Sequence, residues 1–208
     1  MHVAAQPVHV VLRSRFRSLR SQFVFGTLRR ALARATRARL GFRVLHFSVQ
    51  RDHLHLLVEA ADKRSLSRGM QGLAIRLAKQ LNALVRRHGK VWADRFFARA
   101  LSSPSAVKHA LAHVLNNFRK HRAAQASRID PYSSAPYFTG FRELEGYAPC
   151  ELALARDLPL TPRGVPPPQS DEDIPILGAR TWLARVGWRR AGSIGFRSIA
   201  STTSEVGD

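Results

Sequence analysis

Two runs of strand-forming residues, 42–50 (FRVLHFSVQ) and 53–60 (HLHLLVEA), are separated only by Arg51 and Asp52. A two-residue connection between such runs predicts a tight antiparallel hairpin. Two strands alone are marginal in water, so the rest of the chain must extend or cover them. The loop length sets Val49 opposite Leu54, Phe47 opposite Leu56 and Leu45 opposite Val58, which gives one continuous apolar face. The opposite face then carries His46, Ser48, Gln50, His53, His55 and Glu59.

The segments around the hairpin supply the remaining elements. Pro7–Leu12 is short and β-branched, a predicted strand. Leu19–Arg39 carries apolar residues at helical spacing, as does Leu66–Arg87, and glycines at 41 and 89 end the two runs. A fourth strand is predicted around Phe96–Leu101, and Pro104 opens a third helix, Ser105–His121. The order β-α-β-β-α-β-α predicts an α+β fold. It is a ferredoxin-like four-stranded antiparallel sheet with helices on one face plus an added C-terminal helix, and the polar sheet face is left uncovered.

Charge and proline mark a boundary. Residues 1–129 hold 26 Lys and Arg against four acids, a net of +22, whereas residues 130–208 hold eight against ten. Nine of the eleven prolines follow residue 129 and all nine histidines precede it. We therefore expect a basic domain at 1–129 and a Pro-rich C-terminal appendage at 130–208, partly disordered, with a short helix at 179–190. A field that positive on so short a domain repels itself unless it meets a polyanion, so nucleic acid is the expected partner. The arginines at 13, 15, 17, 20, 29, 30, 34, 37 and 39 form the expected phosphate-binding arc (Arg13, Arg15, Arg17, Arg20, Arg29, Arg30, Arg34, Arg37, Arg39). The single Cys150 rules out an intrachain disulfide and any multi-thiolate zinc site. No apolar run reaches the roughly 18–20 residues of a membrane span, and Met1–Arg20 lacks a secretory leader, so no membrane association and a cytoplasmic location are expected.

His53-Leu54-His55 is the sharpest chemical feature. At i and i+2 on a strand both imidazoles point the same way, and two neutral imidazoles so held can grip a divalent metal. A solvated sheet face that carries two histidines is the alternative the spacing leaves open. Gln50 and Glu59, on the same face, are candidate supporting groups. On the third helix Val107, Leu111, Val114, Leu115 and Phe118 share one side, with His109, His113, Asn117 and Lys120 on the other.

Taken together, RVLHFSVQRDHLHLLVEA (43–60), LSRGMQGLAIRLAKQLN (66–82), GKVWADRFFARAL (89–101) and ALAHVLNNFRKH (110–121) resemble the single-tyrosine HUH transposases of insertion sequences, and especially their REP-associated relatives. DPYSSAPYF (130–138) and RTWLARVGWRR (180–190) are also similar to the downstream segment of such proteins. The resemblance implies a ferredoxin-like fold and a His-hydrophobe-His pair, here His53 and His55, binding Mg²⁺ or Mn²⁺. Asn117 matches the place of a third polar ligand. A tyrosine on the following helix attacks a phosphodiester of single-stranded or hairpin DNA and becomes linked to the 5′-phosphate, which serves DNA transposition.

The nucleophile position departs from that pattern. The family reads Tyr-Val-Leu-x-Asn, and this chain reads His113-Val114-Leu115-Asn116-Asn117. Its tyrosines, Tyr132, Tyr137 and Tyr147, all lie in the appendage, and Phe96-Phe97 stands where relatives commonly carry Tyr-His. We therefore expect a DNA-binding protein of transposase type whose cleavage is impaired, with Phe96, Phe97 or Trp92 as candidate stacking surfaces. One alternative is an active strand-transfer enzyme that uses His113 or a tail tyrosine. Another is an RNA-binding module of RRM layout, against which His and Gln stand where exposed aromatics belong. A homodimer is left open.

Overall fold

The computed structural model describes residues 6–16, 19–37, 41–118, 129–145 and 175–198. Four strands, β1 (Val8–Arg13), β2 (Phe42–Val49), β3 (His53–Ala60) and β4 (Phe97–Ala100), form one antiparallel sheet in the order β2-β3-β1-β4. Helices α1 (Gln22–Arg37) and α2 (Lys63–Leu84) connect them. Asp62 and Ser103 cap α2 and the third helix, α3 (Pro104–Asn116), by accepting from Ser65 N and Ala106 N. The ferredoxin-like expectation is met in connectivity, sheet order and strand direction.

Alternation along the strands divides the residues between two faces. Val8, Val10 and Leu12 of β1 join Leu54, Leu56 and Val58 of β3 in a core beneath α1 and α2. Gly69 lets α2 lie close on β2, since a Cβ there would stand 2.2 Å from Phe42 Cγ.

The second face is covered, contrary to the expectation of an open one. Leu57 lies on it by alternation, and it packs with Leu45, Leu111, Leu115 and Phe141 in a second buried cluster. Helix α3 therefore lies across the sheet face opposite α1 and α2. Residues 129–145 and 175–198 complete this layer with Trp188, Ile194 and Phe196.

The hairpin register holds at Val49 opposite Leu54 and Phe47 opposite Leu56, then shifts. His46 pairs with Leu57 and Val44, not Leu45, pairs with Val58, so a β-bulge falls at Leu45. The extra residue lets Leu45 reach the second cluster. Tail segments also occupy the outer edge of β2, where Val49 N donates to Tyr132 O, Ser134 N to Phe47 O and Leu177 N to Val44 O. The helix expected at 179–190 is a single turn, α4 (Trp182–Arg185), followed by a 3₁₀ turn at Gly187–Ala191. Among the described residues no helix is long and apolar enough to cross a membrane.

Candidate functional site

Four histidines meet on the second sheet face beside α3. The β1–β3 register sets Val11 opposite His55 and Arg13 opposite His53, which brings His9 diagonally to His55. His9 Nε2 lies 3.1 Å from His55 Nδ1, with the two rings stacked at 5.3 Å. On its other side, His55 Nε2 lies 3.0 Å from His53 Nε2. The ring of His113, from α3, stands edge-on to His55 at 4.6 Å and to His9 at 5.7 Å. One nitrogen from each of His9, His55 and His113 falls within 4.8 Å of the others.

The surroundings set the charge of the cluster. His9 has its pKa lowered to about 4, first by burial and then by the Arg99 guanidinium, so its imidazole is neutral with a lone pair to offer. Arg99 stands opposite His9 on β4. His53 Nδ1 lies 2.7 Å from Asp52 Oδ1, and that hydrogen bond is the first of the causes that hold the Asp52 carboxyl below its usual range.

The donor set fits a divalent ion. Two cis ligands at about 2.1 Å around an octahedral ion stand about 3.0 Å apart, the separation found between the His53 and His55 Nε2 atoms. Asn117, four residues beyond His113, is buried, and its amide Oδ1 is the atom that could join such a donor set.

Other expected site residues lie elsewhere. The buried Glu59 carboxylate accepts from Arg180 N, Thr181 N and Thr181 Oγ1, so it anchors the start of α4. Gln50 is buried and donates from Nε2 to Ser48 Oγ at 2.7 Å. Arg20 is engaged within the fold: it forms a two-pronged pair with buried Asp130 at 2.9 Å, donates to Val49 O and stacks over Tyr132. Arg29 is buried. Arg30, Arg34 and Arg37 are exposed on α1, behind the sheet from the histidines, whereas Arg13 and Arg15 are exposed at the end of β1. Arg17, Arg39 and Lys120 lie outside the described residues.

The aromatic candidates separate in the same way. Trp92 donates its indole N–H to Ala74 O, and Phe96 packs against the first core. Phe97, 61% exposed, pairs with Val11 on the histidine face. Tyr132 meets Phe25 edge-on, on the α1 side, and Tyr147 lies outside the described residues. An apolar cleft of about 480 Å³ between α2 and residues 89–96 opens on the face away from the histidines, with Lys90, Asp94 and Arg95 among its lining residues.

Reading of the sequence missed His9 and Arg99. The signal for His9 was the alternation Val8-His9-Val10, which puts the imidazole opposite the two valines.

The family model described as "Transposase IS200 like" matches residues 2–115. A solved structure described as a REP-associated tyrosine transposase bound to a REP hairpin is similar in fold, with a TM-score of 0.56 and 18% sequence identity over 71% of this chain and 88% of that one. No curated protein matches the chain.

Proposed function

Since the chain belongs to the IS200-like transposase family, we propose that it is a DNA-binding member that engages single-stranded or hairpin DNA and whose strand-cleaving step is impaired. The carrying observation is His113. The residue at the family's tyrosine position faces His55 from α3 at 4.6 Å, and it is an imidazole.

In this reading His53 and His55 hold Mg²⁺ or Mn²⁺, with the Asn117 amide as the third protein ligand. When bound, the ion supplies positive charge that polarises a phosphate oxygen. Arg13 and Arg99 flank the histidines on the same face and receive the DNA backbone, while Phe97 offers an exposed ring on which an unpaired base stacks. His113 brings no phenol oxygen to the phosphate, so the tyrosine–phosphate linkage cannot form at this position. Tyr132 cannot replace it without leaving Phe25 and Arg20. The structural relative described with a bound hairpin supports hairpin DNA as the ligand class. An RRM-type mode is disfavoured, because that mode uses an open sheet and here Leu45 and Leu57 lie under α3 and the tail.

The test is binding and cleavage of labelled single-stranded hairpins with Mg²⁺ or Mn²⁺ by the wild type, His113→Tyr and His113→Ala. All three are expected to bind, and only His113→Tyr to cut and leave a covalent protein–DNA adduct. Cutting by the wild type that His113→Ala abolishes would make histidine the nucleophile and overturn the impairment. Failure of all three to bind any hairpin would overturn the DNA reading.

A further inference from the structure

We propose that His113, together with His9 and His55, forms a three-nitrogen site for a borderline divalent transition ion of the Zn²⁺ type, a site distinct in ligand set and metal class from the His53–His55 pair. Three separate elements, β1, β3 and α3, each present one imidazole to the same point, with one nitrogen apiece within 4.8 Å. Ligands at about 2.1 Å around a tetrahedral ion stand about 3.4 Å apart, so modest side-chain rotations bring these nitrogens into place. Three protein ligands leave a fourth position for water, the usual pattern of an accessible zinc site. His9 and His113 are only half-buried, so that position is reachable from solvent.

The donor set selects the metal. A set of three imidazoles with no protein oxygen suits Zn²⁺, Co²⁺ and Ni²⁺ better than Mg²⁺ or Ca²⁺, which favour oxygen-rich sites. The neighbouring carboxylates are engaged elsewhere, Asp52 with His53 and Glu59 with Arg180 and Thr181. Only histidine at position 113 supplies the third nitrogen; the tyrosine of the family pattern would offer a phenol instead. An ion held here ties α3 to β1 and β3 and claims His55, so it competes with any ion on the His53–His55 pair. The inference rests on the geometry of the cluster and does not require DNA binding or cleavage.

The test uses the tag-free full-length protein, stripped with chelator, titrated with Co²⁺ by visible absorption and then back-titrated with Zn²⁺. The wild type is expected to show the intense bands of four-coordinate Co²⁺ and to lose them to one equivalent of Zn²⁺. His9→Gln and His113→Tyr should each weaken Co²⁺ binding by about 100-fold or more, beyond the roughly 10–100-fold cost of losing a mere supporting partner. His53→Ala removes only a hydrogen-bond partner of the His55 ring, so it should cost no more than the roughly 10–100-fold of a lost supporting partner. Far-UV circular dichroism checks the fold of each variant, and His113→Gln replaces His113→Tyr if the latter is misfolded. Undiminished binding in the position-113 and His9 variants, or no four-coordinate spectrum in the wild type, overturns the proposal. Loss of binding in His53→Ala alone would overturn it while leaving the His53–His55 reading intact.

Discussion

His46 shares the second face with the histidine cluster but takes a different partner. Its Nδ1 lies 3.1 Å from Ser134 Oγ, its ring meets Phe138 edge-on, and burial lowers its pKa to about 4. In the unfolded chain the same group titrates near 6.5. Between those values the unfolded state binds more protons, so the stability His46 contributes is present above pH 6.5 and is lost as pH falls towards 4. A shift of that size corresponds to a loss of up to about 3 kcal/mol. Urea unfolding from pH 7.5 to 4 should show this decline, and His46→Gln should flatten it. At this scale the sequence showed which residues share a face and was silent on what they meet. The shared side of His53 and His55, and the polar side of α3 that carries His113, were legible because strand and helix periods place them. The meeting of His9 with His55 depends on a pairing 46 positions apart, which no local spacing carries. The pairing of Arg20 with Asp130 was hidden for the same reason: the two lie 110 residues apart.

Helix α2 is seated on β2 by the missing side chain of Gly69, whose added Cβ would stand 2.2 Å from Phe42 Cγ. Gly69→Ala should therefore destabilise the protein by about 1–3 kcal/mol through overpacking, read as a lower urea midpoint with an unchanged slope. The hairpin beneath was legible from its two-residue loop, but its bulge was not. Val44 and Leu45 are both apolar, so either could face the first core, and only tertiary packing against Leu57 decides. Helix α3 was foreseen as an element and misplaced as a layer. Leu57, which alternation puts among the histidines, was the sign that this face needs a cover. The single helix expected at 179–190 stops at Val186, whose φ of −139° is outside the helical range, and Gly187 then lies against the Trp182 ring, where a Cβ would stand 2.6 Å from Cζ3.

Across the whole molecule, the composition break near residue 129 divides charge more cleanly than it divides packing. Asp130 is fully buried against Arg20, and Phe141, Trp188, Ile194 and Phe196 share a core with α3. A chain stopped after residue 129 should therefore expose the apolar side of α3 and leave Arg20 without its carboxylate. Loss of near-UV circular dichroism and strong binding of a hydrophobic dye are the expected results, and a cooperative melt matching the full chain would show that the basic part stands alone. The tail's hydrogen bonds along β2 also decide how the sheet can meet other chains. With that border closed, β4 is the remaining open margin among the described residues. A strand added there exhausts the sheet's capacity to grow. Two copies joined through β4 would each spend their last free edge, so this route ends at a closed pair and never extends into a fibre.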